Sequence, residues 1–293
     1  MANRRIILKR RKTVRNTRKI TRTMQLIATA RFQAAFARTV AARPYTEKLA
    51  ELVADLSGAS EHVDHPLMQT HEDVQRSALV VITSNRGLCG GYNGNVLRAS
   101  VAHLDEQTAG GIETDVHVVG KKGIGYFRFL GRPMVEQITG IVDAPRFDDV
   151  EPLADGLMDR FSKGEISSVH VAYTRFLSAG RQRAEVMQLL PLARETNDDT
   201  DDSQTASGTE YEFSPDPASL LDELLPATVR ARLFQCFLDA AVSEQILRMV
   251  AMKAATDAAD DMIKTLTRQY NRARQTQITL ELLDIVGGAN ALA

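Results

Sequence analysis

Glycines clustered behind an apolar strand are the first residues here that could do chemistry, because backbone N–H groups in such a turn can cradle a phosphate. Gly87, Gly90, Gly91 and Gly94 follow Ala78-Leu79-Val80-Val81-Ile82. Their spacing matches neither the dinucleotide fingerprint nor the phosphate loop with its Gly-Lys-Ser/Thr ending. Gly120-Lys121-Lys122-Gly123-Ile124-Gly125 misses both as well. Tight strand-to-helix turns that need positive φ are the better reading. His62, His65 and His71, near Asp64, carry metal-ligating side chains. They sit in a connector without cysteines and without a second ligand group at metal-site spacing. Cys89 has no sequence-local histidine and is expected to pack beneath its turn. Ser84 and Ser100 occupy no nucleophile elbow. These residues predict no catalytic site, no metal and no cofactor.

The elements around those turns follow from hydrophobic period and punctuation. Strands are predicted at Ala78–Ile82, Val116–Val119, Met134–Ile138, Val169–Phe176 and Ala184–Leu190. Helices are predicted at Leu97–Leu104, Ile124–Leu130 and Val150–Phe161. Strands alternating with helices imply an α/β layer with a largely parallel sheet over residues 75–213. Residues 195–209 are polar and acidic and read as a mobile loop.

The two ends are different. No glycine occurs between Met1 and Gly58, and Pro44 is the one proline in that stretch. Between Pro217 and Gly287 only Pro226 interrupts. Two very long helices follow, 1–58 and 216–293, of about 80 and 105 Å at 1.5 Å per residue. Gly287-Gly288 is the expected stop of the second. An antiparallel coiled coil of the two is the simplest way to bury their apolar stripes. Ile6, Thr13, Thr17, Ile20, Met24 and Ile27 are its expected seam on one side. Leu247, Ala251, Ala254, Ala258, Met262 and Leu266 are expected on the other. A seam this rich in small residues buries less area than leucine heptads do, so the rod is expected to need a surrounding partner. The second helix is also longer, leaving Ile278, Leu280, Leu282, Leu283, Ile285 and Val286 as an exposed apolar tip, the mark of a contact surface.

Composition agrees with a folded protein and narrows its class. The chain has 293 residues, 44% of them hydrophobic and 25% charged, with a net charge of −1, which excludes a disordered or collagen-like chain. Two cysteines, Cys89 and Cys236, allow at most one bridge and fit a reducing compartment. No apolar run is long enough to cross a bilayer. The small net charge conceals a division: residues 1–46 hold thirteen Lys or Arg and no acid, while 195–229 hold ten acids and no Lys or Arg. The basic helix opens a second reading, a nucleic-acid-binding coiled coil. It contains no nucleic-acid module, and an electronegative protein surface would satisfy it equally. A Rossmann-type enzyme, the third reading, lacks its phosphate turn.

Motifs along most of the chain resemble the gamma subunit of the F-type ATP synthase. The N-terminal match is Val14-Arg15-Asn16-Thr17-Arg18-Lys19-Ile20-Thr21-Arg22-Thr23-Met24, continuing to Ala42-Arg43-Pro44-Tyr45. The middle match runs from Thr83 to Asn93, with Asn85 where the family commonly has aspartate. The C-terminal match is Ser243-Glu244-Gln245, Arg248–Ala258, Tyr270–Gln275, Ile278-Thr279 and Glu281–Ala289. Motifs that begin by residue 14 leave little room for a transit peptide.

The resemblance implies an antiparallel coiled coil of the terminal helices plus a Rossmann-like α/β domain, the foot, in the middle. It implies a non-catalytic rotor shaft that couples proton flow to ATP synthesis or hydrolysis. Its implied partners are the ring of three alpha and three beta subunits, the epsilon subunit and the c ring. Its implied location is the cytoplasmic face of a bacterial cell membrane, as a peripheral protein. Met24, Arg248, Arg274, Gln275 and Thr279 match shaft positions of that family, and Tyr211 and Glu212 match its foot region. The acidic stretch holds no cysteine pair, so a thiol switch like that of chloroplast relatives is not expected.

Overall fold

A computed structural model describes residues 4–59, 65–71, 73–192 and 217–292. Helix α1 spans Arg4–Ala59 and runs on through Pro44. The middle of the chain forms β1 (Arg76–Ile82), α2 (Tyr92–Ala109), β2 (Glu113–Val119), α3 (Lys121–Phe129), β3 (Glu136–Ile138), α4 (Phe147–Ser162), β4 (Ser168–Ser178) and β5 (Arg181–Leu190). Helix α5 spans Pro217–Leu292. Two compact units divide these elements: residues 1–30 with 248–293, and residues 31–247.

The larger unit is built on a five-stranded sheet in the order β3-β2-β1-β4-β5. The first four strands are parallel, and β5 returns antiparallel beside β4. Only Ala179 and Gly180 separate those two strands, and so short a connection can produce nothing but a hairpin. β1 lies at the centre and is buried from Ser77 to Ile82, which is why it reads as an unbroken apolar run rather than an alternation. Its side chains still divide by face. Ala78, Val80 and Ile82 join Leu153, Leu157 and Phe161 of α4 and Leu225, Val229 and Phe237 of α5 in one core. Leu79 and Val81 join Val96 and Leu97 of α2 and Phe127 of α3 in the other.

In the smaller unit the ends of α1 and α5 pack antiparallel, and of the expected seam within that unit Met24, Ala251 and Leu266 are covered while the others turn outward. Ile6, Ile20 and Ile27 are exposed, as are Ala254, Ala258 and Met262. The buried seam is Ile7, Thr21 and Ala28 against Arg248, Met252, Thr256, Ala259 and Leu266. A helix turns by about 100° per residue, so a one-residue error in phase carries a side chain off the seam. Thr256 Oγ1 donates to Thr21 Oγ1 at 2.8 Å, Arg18 pairs with Asp260 at 2.7 Å, and the Arg11 guanidinium lies 5.0 Å from the centre of the Tyr270 ring. Within this unit the covered positions of α1 include Ile7-Arg11-Val14 and Thr21-Gln25-Ala28, each stepping by four and three, the spacing of a left-handed coiled coil.

The C-terminal stop also differs from expectation. α5 continues through Gly287-Gly288 to Leu292. Glycine costs a helix roughly 1 kcal/mol relative to alanine, which weakens the helix without ending it where no cap or proline follows.

Candidate functional site

Side-chain hydrogen bonds brace both glycine-rich turns. Asn93 Oδ1 accepts the Ser84 N–H at 2.9 Å, and Ser84 Oγ donates to the Arg86 carbonyl at 2.6 Å. Asn93 Nδ2 lies 3.2 Å from the sulfur of buried Cys89. Asn85 Oδ1 accepts the Lys121 N–H at the first turn of α3, so the side chain caps that helix. Thr83 Oγ1 ties the end of β1 to the same turn, donating to the Val119 carbonyl and accepting the Gly123 N–H. At the second turn the backbone N–H groups of Lys121, Lys122 and Gly123 are committed to holding β1, β2 and α3 together.

The other candidate chemistries are distributed in the same way. His65 Nδ1 accepts the Leu67 N–H and caps the 3-10 turn Pro66–Met68. His71 packs edge-on against Phe161 at 4.9 Å, and His62 and Asp64 lie outside the described residues. Among the described residues no three His, Cys, Asp or Glu side chains are grouped to hold a metal ion. Burial pushes the Cys236 thiol well above its usual range, which keeps it protonated and unreactive.

His103 of α2 and His170 of β4 lie with ring centres 4.4 Å apart and their planes tilted by 52°. Burial, reinforced by His103, lowers His170 to about 4. The unfolded chain therefore takes up this proton first, between about pH 6.5 and 4. The stability gained from holding the ring neutral is complete above that window and is lost as pH falls through it, on the order of 2–3 kcal/mol. Urea unfolding of the His170→Phe variant is expected to show a shallower acid limb than wild type over that window. Identical pH slopes would refute the assignment.

At the shaft end, Arg248 is buried and Met24 half-buried, both along the helix pairing, while Arg274, Gln275 and Thr279 are exposed. Thr279 Oγ1 donates only along its own helix, to the Gln275 carbonyl at 3.0 Å. Tyr211, Glu212 and the acidic stretch 195–209 lie outside the described residues. Beyond Ala273 every described side chain of α5, through Ala289, is exposed. Ile278, Leu280, Leu282, Leu283, Ile285 and Val286 are 46–70% exposed. At 100° per residue these six occupy roughly 220° of the helix circumference, with Glu281 and Asp284 in the remaining sector. A helix that is apolar around most of its girth is built to be enclosed rather than laid against one surface. On the same unit Lys9, Arg10, Lys12, Arg15, Lys19 and Arg22 of α1 are exposed, giving its flank a positive field. No described helix is long and apolar enough to cross a membrane.

Comparison with known proteins bears on this arrangement. A family model described as ATP synthase matches residues 3–292. The ATP synthase gamma chain of Rhodopirellula baltica is 44% identical over 294 aligned residues, covering 100% of this chain and 99% of that one. The gamma chain of Leptospira biflexa is 41% identical over the whole of both chains. Among solved structures, a chain of the Euglena gracilis mitochondrial ATP synthase, in an OSCP/F1/c-ring assembly, superposes with a TM-score of 0.66 at 16% identity. That match covers 99% of this chain and 94% of that one.

Proposed function

Because the chain belongs to the family of ATP synthase gamma chains, and is thus a non-catalytic central-stalk rotor, we propose that it works by being gripped at its carboxyl end. The carrying observation is the apolar girth of the last turns of α5, which have no partner among the described residues. A sleeve formed by three alpha and three beta subunits would cover all sides of that tip at once, as no flat partner could. The exposed basic flank of α1 would then face acidic loops of the beta subunits, where charge of one sign guides the rotor without fixing it at one angle.

Coupling follows from asymmetry. A shaft with different side chains on each side presents a different neighbour to each beta subunit. Contact free energy that differs between open and closed subunit states biases which state each one adopts. Arg274 and Gln275, exposed just where helix pairing ends, would supply directional hydrogen bonds to a beta-subunit loop. Met24 and Arg248 would serve from the pairing itself, setting the shaft's stiffness, and Thr279 would sit inside the collar. Tyr211, Glu212 and the α/β domain would form the foot against the epsilon subunit and the c ring. The protein would thereby be peripheral, on the cytoplasmic face of a bacterial membrane.

Co-expression with the alpha and beta subunits of the same organism tests this reading. A tagged chain is expected to co-purify with both as one ATP-hydrolysing complex. Recovery of the chain alone, under conditions where alpha and beta assemble with each other, would overturn it.

A further inference from the structure

Beside the seam of the smaller unit runs a second apolar stripe, and both helices contribute to it. On α1, Ile6, Thr13, Ile20 and Ile27 each stand one position before the covered residues Ile7, Val14, Thr21 and Ala28. On α5, Ala251, Ala258 and Thr265 stand one position before Met252, Ala259 and Leu266. One residue is a turn of about 100°, so these positions flank the seam instead of entering it. The opposite flank is marked by Arg11 against Tyr270 and Arg18 against Asp260. Arg11 and Arg18 come four positions after Ile7 and Val14, while Tyr270 and Asp260 follow Leu266 by four and Ala259 by one. The two stripes therefore share the side turned away from those contacts and form a single face.

That face is exposed and uncharged. Ile6, Ile20, Ile27 and Met262 are 49–60% exposed, and Met24 and Ala251 are half-buried at its inner edge. Between Arg10 and Arg31 its α1 positions are Thr13, Thr17, Ile20, Met24 and Ile27, although Lys12, Arg15, Arg18, Lys19 and Arg22 occupy the same stretch of helix. Thr13 and Thr17 donate their hydroxyls within α1, to the Lys9 and Thr13 carbonyls at 3.2 Å. Covering the face strands neither group.

Size is divided between the two helices in a self-complementary way. With Thr21 level with Thr256, Ile27 stands level with Ala251, Met24 with Ala254, Ile20 with Ala258 and Thr13 with Thr265, each within about one residue. A second copy turned by half a rotation about the helix axis sets its α5 against α1, antiparallel and at the same level. Each bulky side chain then meets an alanine of the other copy, and the contact repeats by symmetry, as an isologous interface requires. Four helices placed so alternate up and down, the arrangement of a four-helix bundle. From Ile6 to Ile27 the face is about 32 Å long and about 20 Å across both helices, about 600 Å² per copy. The total of roughly 1,200 Å² lies at the lower end of specific interfaces.

We propose that the free chain pairs with a second copy through this face, with Ile20, Met24 and Ile27 of each copy packed on Ala258, Ala254 and Ala251 of the other. The pairing belongs to the chain before assembly and stands apart from the rotor reading. Any partner that encloses the shaft has to displace the second copy first.

Sedimentation equilibrium of the full chain is expected to show one chain passing to two, with a dissociation constant in the micromolar range. Ile20→Ser with Ile27→Ser removes four side chains from the dimer and should weaken it about a hundredfold or more. The tip variant Ile278→Ser, Leu282→Ser, Ile285→Ser should pair like wild type. Mixing Ile20→Cys chains with Ala258→Cys chains tests the geometry and decides should the serine variant fail to fold by circular dichroism. Cys89 and Cys236 are buried, so oxidation of the mixture should yield a disulfide-linked dimer with one chain of each kind. Either cysteine variant alone should yield far less. A chain that stays monomeric up to about 100 µM would overturn the proposal. Pairing that survives the folded serine variant, pairing lost in the tip variant, or a cysteine mixture that links no better than its components would do the same. Shielding of Ile20→Cys from maleimide only when alpha and beta subunits are added would give the face to the ring instead.

Discussion

Gly120→Ala is expected to melt on the order of 10 °C below wild type. Gly120 joins β2 to α3 with φ at +96°, a region L side chains rarely enter. A Cβ built there would lie 2.1 Å from the Thr83 carbonyl oxygen and 2.8 Å from Thr83 Oγ1. Neither atom can yield. The Thr83 N–H donates to the Val119 carbonyl, its hydroxyl accepts the Gly123 N–H, and the Gly120 N–H donates to the Ile138 carbonyl. Relief requires parting the ends of three adjacent parallel strands, β1, β2 and β3. Overpacking costs about 1–3 kcal/mol and the unfavourable φ adds roughly 1–2 kcal/mol, before any strand hydrogen bond is lost. A loss of about 4 kcal/mol corresponds to a melting decrease on the order of 10 °C for a domain of this size. Gly125→Ala is the control: that residue is exposed in α3 and its added Cβ meets nothing within 4 Å. Its melting temperature should hold or rise slightly, as helix propensity favours alanine. A Gly120→Ala protein that melts within a few degrees of wild type would contradict the packing described at this turn.

That glycine shows how much of the fold was legible and where reading ended. Its sequence context marked a strand-to-helix turn, because glycine after an apolar strand has few other uses. Its contact with Thr83, 37 residues away, could not be read from local spacing. The strands and helices of the α/β unit follow their periodicity closely, since each buries a face against the same sheet and the pattern is dense. The long helices were legible in extent and not in phase. Their seam is made of Ile7, Thr21 and Ala28 against Thr256 and Ala259, whereas the larger residues Ile20, Ile27 and Met262 are exposed. Selecting apolar residues at three-and-four spacing therefore follows a stripe that meets the seam at Met24, Ala251 and Leu266 and leaves it elsewhere. The heptad was nonetheless present in Ile7-Val14-Thr21-Ala28, which recur at every seventh position. Threonine qualifies for a seam because its hydroxyl can bond within its own helix or across to the partner, as Thr256 does.

Exposed aliphatics are read most easily at the tip of α5, and there the largest functional effect is expected. The triple variant Ile278→Ser, Leu282→Ser, Ile285→Ser should fold as well as wild type when alone and assemble far more weakly. All three residues lie on one face of the helix at steps of four and three, and are 48%, 57% and 70% exposed. Their removal costs the isolated chain only a small helix propensity, a few tenths of a kcal/mol each. Full burial of such a side chain contributes about 1.5–3 kcal/mol. Part of each is already shielded by its own helix, so a collar gains roughly 1 kcal/mol per residue. Three together amount to about a hundredfold in the dissociation constant for the alpha and beta ring. The measurement is retention of the variant by immobilised alpha–beta complex, beside circular dichroism of the free chain. Arg274→Ala separates grip from torque. Its exposed guanidinium contributes direction rather than area, so it should bind nearly as well as wild type while ATP turnover by the assembled complex falls. If the triple variant assembled as tightly as wild type, the apolar girth of α5 would have no role in holding the shaft. The rotor would then have to be gripped through α1 and its basic flank instead.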